Sequence, residues 1–386
     1  MGQERQLHFI VVVWGMKYCD TFLNVGLPTL LSPRNLAGLS RPEHALFRIF
    51  TSEHDVDRIK RSAACMALGR HVRVEIETFA QEVPDGVKKY RLMARIHMRA
   101  LREAAESKAA VVFLAPDILA ADGSMVALER LRDRPAVMVA APRLKTTAVP
   151  EILSNRDTGA SCAITVAPRD LVALAMKNLH PITESAFWGQ PWLNAHPTML
   201  YWRLGEQGML ARNFHLHPLL IDPAKLSEGF FERETRKKLS TIDDDVMLSM
   251  QASPDEFYIV TDSDELAMFE VSDGTINHGL VGRKERTTVD DLVTFAGRVA
   301  NPLHQGFLRH RIWFHSCDRS QLEPFGDVVA ASDALVGKLL HDLQSQPAAQ
   351  PAKSRKRGSI RSALNAIERM IRGSVLRRSS HEANLQ

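Results

Sequence analysis

Continuous apolar runs recur along the first 145 residues, and amphipathic stretches separate them. The run from Leu7 to Trp14 has the length and uniformity of a strand buried on both faces. Comparable patterns predict four more strands, at Leu46 to Thr51, Val72 to Phe79, Ala109 to Leu114 and Ala136 to Ala141. The stretches between them predict helices at Tyr18 to Leu31, Ser52 to Leu68, Val87 to Ser107 and Met125 to Arg132.

This alternation of strands and helices predicts an α/β fold, with a mostly parallel sheet and helices on both faces. Ligands of such sheets bind beyond the carboxyl ends of the strands. We therefore expect the functional loops at Gly15 to Cys19, Thr51 to Asp55 and Ala115 to Ser124.

The apolar pattern is less regular between about residues 150 and 330, where aromatic, histidine and proline residues are frequent. The stretch 180–217 predicts loops and helices that face a substrate, with the aromatic segment 188–202 against an acceptor. Further elements are expected as short strands at Phe257 to Thr261, Ala267 to Val271 and Arg311 to His315, and as a helix at Ala330 to Leu343.

The stretch VVFLAPDILAADGSM, residues 111–125, carries the most informative chemistry. An apolar strand ends there in a loop that holds Asp117 and Asp122. Carboxylates at a strand end can hold Mg²⁺ or Mn²⁺ against a diphosphate, because these ions prefer oxygen ligands and share them with phosphate. The alternative is that Asp117 only caps a turn.

At this point the sequence resembles the GT-A glycosyltransferases, in which the corresponding strand ends in an Asp-x-Asp signature. Here Ala115-Pro116-Asp117 stands in its place, so only the last carboxylate of the signature is kept. The order of elements over residues 7–141 also resembles that family. The resemblance implies a GT-A, Rossmann-like fold and a cytoplasmic enzyme of bacterial surface polysaccharide synthesis. Such an enzyme moves a sugar from a nucleoside-diphosphate donor to a glycan or glycolipid acceptor, with Mn²⁺ or Mg²⁺ as cofactor.

The resemblance also implies roles for residues at the strand ends. It assigns the metal and diphosphate to Asp117, and the whole donor nucleotide to the set Trp14, Gly15, Thr51, Glu53 and Asp117.

Two further roles in that family lie downstream of the metal motif. An acidic residue takes the proton of the acceptor hydroxyl, and Glu206 or Glu184 is the candidate for this general base. A histidine can complete the metal site, and His217 or His215 is the candidate for it. The alternative for either histidine is a hydrogen-bonded core residue.

Three other interpretations remain open from the sequence. His217 and Asp222 have the H-x4-D spacing of some acyltransferases, with the histidine as base. Asp243 and Asp245 belong to an acidic run that could contact an acceptor or remain solvated. Because the Asp-x-Asp signature is incomplete, a non-catalytic binding or scaffold protein with the same fold is the rival to an enzyme.

Composition excludes several other classes. The chain is 45% hydrophobic and 24% charged, which is ordinary for a globular protein. Its four cysteines form no CxxC pair, which argues against a zinc module or a disulfide framework and favours reduced cytosolic thiols. The phosphate loop GxxxxGK[ST], the dinucleotide motif GxGxxG after the first strand and the hydrolase elbow GxSxG are absent from the sequence.

The basic charge is concentrated at the end of the chain. Residues 351–386 hold nine Lys or Arg against two Glu, a net +7, so the preceding residues carry −3 of the total of +4. Within 353–378 the pattern predicts a basic amphipathic helix that lies on an anionic membrane surface. Docking on the protein itself, or disorder, is the alternative, and nucleic acid is not expected as a partner.

These patterns divide the chain into four segments. They are a nucleotide-sugar-binding α/β half at 1–145, an acceptor-side region of the same catalytic unit at 146–343, a linker at 344–358 and the basic amphipathic tail at 359–386.

Overall fold

The computed structural model describes residues 5–79, 87–157, 159–190, 193–194, 198–234, 241–274, 280–281 and 287–345. The predicted tail, and the linker beyond residue 345, lie outside these described residues.

Fifteen strands occur in the described ranges. In chain order they are β1 (Leu7–Val12), β2 (Ala45–Ser52), β3 (Arg73–Phe79), β4 (Ala110–Leu114), β5 (Ile118–Ala120), β6 (Ala136–Val139), β7 (Arg143–Lys145), β8 (Leu193–Asn194), β9 (Met199–Arg203), β10 (Gly208–Asn213), β11 (His217–Ile221), β12 (Tyr258–Ile259), β13 (Met268–Ser272), β14 (Leu280–Val281) and β15 (Ile312–His315).

Thirteen α-helices accompany them in the same ranges. They are α1 (Met16–Thr21), α2 (Leu27–Leu30), α3 (Val56–Arg61), α4 (Ala63–Leu68), α5 (Val87–Glu106), α6 (Ser124–Arg130), α7 (Val149–Leu153), α8 (Pro168–Lys177), α9 (Pro181–Glu184), α10 (Phe230–Glu234), α11 (Val289–Val299), α12 (Pro302–Phe307) and α13 (Gly326–Ser345). Two segments, Phe22–Gly26 and Ile242–Val246, are wound as π-helix.

Seven strands form the central sheet, in the order β12, β6, β11, β4, β1, β2, β3. Six of the seven run parallel, and β11 runs antiparallel between β6 and β4. Every residue of β1, β2 and β4 is buried, as their continuous apolar runs require.

Successive residues of β1 belong to different cores, because side chains alternate across a strand. Ile10 and Val12 join the apolar cluster that includes the buried face of α5. Phe9 and Val11 join the cluster that includes residues of α1, α2, α4 and α6. Helices therefore cover both faces of the sheet, and the predicted α/β fold with a mostly parallel sheet is confirmed.

The prediction of one helix from Ser52 to Leu68 is wrong in two respects: the helical stretch begins later, and it consists of two helices. Ser52 is the last residue of β2, and the helical stretch is divided into α3 and α4. The break falls at Ser62, which has extended backbone angles (φ −70°, ψ 141°). Its side chain accepts a hydrogen bond from the Cys65 backbone N–H at 3.1 Å, so Ser62 begins α4 as its N-cap.

The prediction of loops and helices over 180–217 is also wrong in part. Strands β9 and β10 pair antiparallel there and join β15 in a second sheet of order β15, β10, β9. Tyr201 and Trp202 are buried within the protein. Their rings are therefore covered, and the expected contact of an acceptor with the aromatic segment 188–202 does not extend to these two residues.

A third small sheet has the order β5, β13, β7 and lies next to the end of β4. Strand β13 pairs antiparallel with β5 and parallel with β7, so that Glu270 faces both Ile118 and Arg143 in register. This sheet brings residues from three distant parts of the sequence to the turn that holds Asp117.

No helix among the described residues combines the length and the apolar character needed to cross a bilayer.

Candidate functional site

The strand order places a topological switch point between β1 and β4. From β1 the chain continues to β2 and β3 on one side, and then returns to β4 on the other side. Loops that leave two neighbouring strands in opposite directions open a crevice between them, and ligands of open parallel sheets bind there. We call this place the strand-end crevice.

The β1 side of the crevice is a loop fixed by Asp55. The Asp55 carboxylate accepts hydrogen bonds from the Gly15 backbone N–H at 2.8 Å and from the Ser52 hydroxyl at 2.6 Å. Gly15 has a φ of 80°, a conformation that favours glycine, and the space where a Cβ would stand is open. Trp14 packs edge-on against Phe79, with ring centroids 5.9 Å apart. The ends of β1, β2 and β3 are therefore held together.

The β4 side of the crevice carries a carboxylate pair with an arginine. Asp117 lies in the turn between β4 and β5, and Glu270 approaches it from β13. Arg143 donates a hydrogen bond from Nε to Glu270 Oε2 at 2.6 Å. Burial, and then repulsion by Glu270, raise the pKa of Asp117 to about 7, against the opposing effects of a backbone hydrogen bond and of Arg143. Asp117 therefore exchanges a proton near neutral pH.

The chemistry of these donors fits a hard divalent cation. Carboxylate oxygens are the side-chain ligands that Mg²⁺ and Mn²⁺ prefer, and Asp117 and Glu270 supply them from two elements. A cation would replace the proton that Asp117 holds and remove its repulsion with Glu270. These two residues, and not the histidines, are the ones we expect to hold the metal.

Two further links join the walls of the crevice. Lys17 follows the β1 loop, and its Nζ lies 3.1 Å from Asp273 Oδ2, just after β13. The His180 ring contacts the Asp273 carbonyl oxygen at 3.1 Å through Nε2. Arg143 therefore lies on Glu270 itself, and Lys17 pairs with Asp273 three residues further along the chain, a combination suited to an anionic ligand that also binds a metal.

A histidine group lies at the same edge of the sheet, because β11 begins where β4 and β6 end. His217 pairs in register with Val139, and its Nε2 contacts the Phe113 carbonyl oxygen at 2.9 Å. Burial, and then the proximity of His217, lower the pKa of His97 to about 3. His217 and His97 are thus half-buried neighbours, and the hydrogen bond of His217 matches part of the core alternative from the sequence.

His215 and His304 form a second pair around Asp243, on the π-helical segment Ile242–Val246. His304 donates from Nε2 to the Asp243 carbonyl oxygen at 3.0 Å, and His215 Nδ1 lies 3.9 Å from Asp243 Oδ2. Burial raises the pKa of Asp243, but hydrogen bonds from the His215 and Thr241 side chains lower it, and the resulting pKa is about 2. The remaining ring nitrogens, His215 Nε2 and His304 Nδ1, are buried without a hydrogen-bond partner among the described residues.

The geometry of that histidine pair does not suit a shared metal ion. The ring centroids of His215 and His304 are 4.1 Å apart and the planes are inclined by 34°. In stacked rings the nitrogen lone pairs point in roughly parallel directions. Two histidines that bind one zinc ion must instead direct their nitrogen lone pairs at the same ion, each from about 2.0–2.1 Å. The free nitrogens are better placed to accept hydrogen bonds from a ligand or water.

A third group, Asp262, Asp264 and His315, has its ligand atoms within 4.8 Å of one another, which is a spacing that could hold a metal. The contacts indicate a charge network instead. His315 contacts Asp262 Oδ1 through Nε2 at 2.9 Å and the Cys317 carbonyl oxygen through Nδ1 at 2.7 Å, so both nitrogens act as donors. Arg169 holds Asp264 at 2.9 Å. A metal here would have to displace both a proton and an arginine.

The residues predicted for the donor nucleotide have different surroundings. Trp14 is half-buried and Gly15 is exposed beside the crevice. Thr51 is fully buried, and its hydroxyl has no hydrogen-bond partner among the described residues. Glu53 is exposed just beyond β2.

The two predicted general bases lie in different places. Glu184 is exposed at the end of α9, a helix anchored to the crevice because Thr183 exchanges hydrogen bonds with the Arg143 backbone at 3.0 Å. Glu206 is exposed in the turn between β9 and β10, where the neighbouring Gln207 accepts from Ser316 N–H. The fold therefore connects Glu184, and not Glu206, to the Asp117 group.

The H-x4-D pair of the acyltransferase interpretation is separated by a strand. His217 begins β11 and Asp222 follows its last residue, so they stand roughly 16 Å apart at about 3.3 Å per residue. Asp222 forms an ion pair with Arg5 at 2.8 Å, at the opposite end of the strand from His217. The two side chains do not face each other, and that interpretation is wrong.

Sequence reasoning did not find Glu270, Arg143 or Lys17. Glu270 lies within an apolar strand pattern, where a charged residue gives no motif. Arg143 follows the end of β6 and Lys17 follows the end of β1, and a basic residue after a parallel strand was a usable signal for both.

No family model matches the sequence, and no curated protein is similar to it. Among solved structures, a mannosyltransferase from Pyrobaculum calidifontis in complex with GDP-Man and Mn²⁺ is 10% identical, over 89% of this chain and 76% of that chain, with a TM-score of 0.32. The 4-diphosphocytidyl-2C-methyl-D-erythritol synthase from Anaerococcus prevotii is 11% identical, over 76% and 95%, with a TM-score of 0.33. A protein assigned as a glucose-1-phosphate thymidylyltransferase from Bacillus anthracis, in complex with sucrose, is 12% identical over 36% of this chain and 55% of that chain, with a TM-score of 0.23. Similarities at these identities and TM-scores assign no family to the chain.

Proposed function

We propose that this chain is a glycosyltransferase that moves a sugar from a nucleoside diphosphate to a hydroxyl group of a glycan or glycolipid acceptor. The carboxylate pair Asp117 and Glu270 at the switch point of the parallel sheet carries the proposal. The raised pKa of Asp117, the Arg143 guanidinium on Glu270 and the nearby Lys17–Asp273 ion pair suit a metal-bound diphosphate.

The donor would lie across the ends of β1, β2 and β4. Gly15 borders open space and Trp14 beside it is half-buried, and these two residues are the strongest candidates for contact with the base and ribose. Glu53 is accessible for the same role, whereas Thr51, being buried, would contribute by shaping the loop. The exposed ring of Tyr18, on α1, adds an aromatic surface beside them.

In the reaction, the acceptor oxygen bonds to the anomeric carbon while the bond from that carbon to the diphosphate oxygen breaks. The acceptor proton leaves to a base, and negative charge develops on the nucleoside diphosphate. Mn²⁺ or Mg²⁺ held by Asp117 and Glu270 would supply neutralising positive charge to the diphosphate. Arg143 and Lys17 would neutralise the same charge from the protein side.

We favour Glu184 over Glu206 as the general base, because α9 is hydrogen-bonded to the Arg143 backbone. His215 lies beside Asp243, but its Nε2 is buried, so it is the weakest of the three candidates. Asp243 and Asp245, on the adjoining π-helical segment, remain candidates for contact with the acceptor.

The first experiment measures donor binding by thermal shift with UDP-, GDP- and CDP-sugars, with and without Mn²⁺. We expect one nucleotide sugar to raise the melting temperature in the presence of Mn²⁺. Asp117→Asn and Glu270→Gln should each abolish the part of this rise that depends on Mn²⁺. Glu106→Gln, at an exposed carboxylate of α5, is the matched control that should bind as the wild type does. Equal Mn²⁺-dependent shifts in all four proteins would reject the assigned metal site.

The second experiment separates the enzyme from its rival, a non-catalytic binding protein with an incomplete signature. Release of the nucleoside diphosphate is followed with the donor found above and candidate glycan acceptors. If the protein is an enzyme, the turnover number should fall roughly 10²-fold or more in Glu184→Gln and stay unchanged in Glu206→Gln. Tight donor binding without turnover on any acceptor would favour the binding protein.

Two features bear on the acceptor. The basic segment 353–378 suits an anionic membrane surface, where lipid-linked glycans are presented. A peripheral cytoplasmic enzyme of surface polysaccharide synthesis is therefore the biological role that we propose.

A further inference from the structure

A second cleft lies away from the Asp117 group, on the face of the sheet covered by α1, α2 and α4. Its volume is about 430 Å³, which is in the range of small-molecule sites. Its walls come from α1 and the π-helical segment that follows it, from α3 and α4, and from the loop before α8. None of Lys17, Asp117, Arg143 and Glu270 lines it.

Three arginines dominate the polar lining of this cleft. They are Arg58, Arg61 and Arg156, and the acidic group among the lining residues is Asp20. The lining therefore carries a net charge of +2. We call this place the arginine cleft.

The three guanidinium groups differ in how strongly they are already engaged. Arg58 is paired with Asp20. Arg61 has Asp57 at 3.5 Å, but the two side chains are 82% and 74% exposed, so water screens the pair and Arg61 remains available. Arg156 donates from Nη2 to the Asn24 carbonyl oxygen, while its Nε is buried without a partner among the described residues.

The three guanidinium groups that line one cleft are the feature that points to an anionic ligand. The Arg61 side chain is 82% exposed, so an anionic oxygen in the cleft can reach its guanidinium without displacing a buried partner. Guanidinium groups bind phosphate through pairs of parallel N–H bonds, which suits a site built from several arginines.

The loop that closes the cleft is held in an unusual conformation. Cys162 lines the cleft with a φ of 54°, which a residue other than glycine rarely adopts. Arg70 anchors this loop by donating to the Ala160 carbonyl oxygen at 3.1 Å. The backbone at Cys162 is therefore held in the wall of the cleft, and a bound ligand would shield the Cys162 thiol.

We propose that the arginine cleft binds the phosphate group of a small phosphorylated molecule. A phosphate monoester carries about −1.5 to −2 charges at neutral pH, which complements the net +2 of the lining. The cleft exceeds the size of one phosphate group, and its apolar walls at Leu23 and Pro28 leave room for the organic part. This inference does not depend on sugar transfer at the strand-end crevice.

The test uses the whole chain with inorganic phosphate and pyrophosphate as probes, in isothermal titration calorimetry. We expect binding to the wild type, and roughly tenfold or greater weakening in Arg61→Gln and Arg156→Gln, as for the loss of one charged hydrogen bond. Arg91→Gln, at an exposed arginine on α5, is the matched control and should bind normally. Because Arg61 is highly exposed, its substitution should leave the fold intact.

A second measurement reports on the cleft itself. In a Cys317→Ser background, which removes the other partly exposed thiol, modification of Cys162 by a thiol reagent should slow several-fold when phosphate is present. Asp117→Asn should retain both phosphate binding and this protection, which separates the cleft from the proposed donor site. Absence of binding, equal affinity in all variants, unprotected Cys162, or loss of binding in Asp117→Asn would each overturn the proposal.

Discussion

Asp117 combines two properties that a turn-capping residue would not need. Its carboxyl is half-buried, and it faces a second carboxylate, Glu270, from a different element. Burial and the nearby Glu270 carboxylate both favour the protonated form of Asp117. A bound cation would remove this cost of ionising Asp117.

We expect Asp117→Asn to change the pH dependence of stability. The pKa of Asp117 is about 7 in the folded protein against 3.8 as its ordinary value, so the folded state binds more protons between these limits. The wild type therefore loses stability as pH rises from about 4 to about 7, and the amide variant avoids this loss. At pH 8 the variant should be more stable by about 1–3 kcal/mol, a difference that vanishes near pH 4.

The measurement is urea unfolding of both proteins between pH 4 and 8 without divalent ions. Mn²⁺ should narrow the difference at pH 8, because it stabilises the ionised wild-type carboxylate. A difference that stays constant across the pH range would contradict the assignment of the raised pKa.

His315 gives a second residue-scale prediction, in which the substitution destabilises the protein. A hydrogen bond to Asp262 raises the pKa of His315 above its ordinary value of 6.5, although burial opposes this. Its contribution to stability is therefore complete below pH 6.5 and is lost as pH rises through the folded pKa. His315→Gln should cost about 1–3 kcal/mol at pH 6 and less at pH 9, since buried hydrogen bonds to charged groups have this magnitude.

Melting temperatures of the wild type and His315→Gln at pH 6 and pH 9 test this. Added Zn²⁺ or Mn²⁺ is the discriminating control. A metal-dependent rise in the melting temperature that needs His315 would show that the Asp262 group is a cation site and not a charge network.

At the scale of elements, the π-helical segment before α2 supports the turn that holds Asp117. Gly26 lies against the backbone of this turn, because a Cβ built there would stand 2.9 Å from the Pro116 carbonyl oxygen and 3.1 Å from that of Ile118. Glycine is required for this close approach. The contact of Gly26 with the Pro116 carbonyl oxygen therefore links the π-helical segment Phe22–Gly26 to the position of the Asp117 carboxylate.

Gly26→Ala should therefore impair the crevice without touching a ligand. Carbonyl oxygens of a packed turn cannot yield as a flexible side chain does, so we expect about 1–3 kcal/mol of destabilisation and weaker Mn²⁺-dependent donor binding. Gly337→Ala is the matched control, since nothing lies within 4 Å of a Cβ at that helical position. Both are measured by urea unfolding and thermal shift, and an unchanged Gly26→Ala protein would mean that the turn adjusts freely.

The elements differ in how far the sequence could predict them. Strands buried on both faces, such as β1 and β4, have continuous apolar runs and were predicted within a few residues. The hairpin of β9 and β10 was missed, because its buried aromatics resemble a ligand-facing surface when only composition is considered. The break at Ser62 was also missed, since a serine within a helical pattern signals a cap only when its neighbours are known to turn there.

The candidate site was predictable in one part only. Asp117 follows a buried strand, and the rule for parallel sheets locates it. Glu270 is more than 150 residues away and meets Asp117 only through the pairing of β13 with β5. No local pattern encodes such a pairing, so the partner of the carboxylate required the fold.

At the scale of the whole molecule, the basic charge is concentrated in residues 351–386 and not in the preceding residues. Removing residues 351–386 changes the net charge from +4 to −3. The full chain should sediment with vesicles that contain anionic lipid, and the shortened chain should not. Binding should weaken strongly as salt is raised, because surface charges are screened over about 8–10 Å at physiological ionic strength.

Neutral vesicles are the control for this prediction, and donor binding by the shortened chain confirms that it is folded. Equal sedimentation of both chains would assign membrane contact to another surface. Sedimentation with neutral vesicles would indicate an apolar rather than an electrostatic attachment.

The reversed direction of β11 has a practical consequence for engineering. Its first residue borders the end of the sheet where we propose that ligands bind, while the Arg5–Asp222 ion pair after its last residue marks the opposite end. Peptide tags or fluorescent labels inserted beside Asp133, near that opposite end, should leave ligand choice untouched. Altering the length of the connection between Asn213 and His217 should instead retune which compounds are accepted, making it the place to randomise in a library.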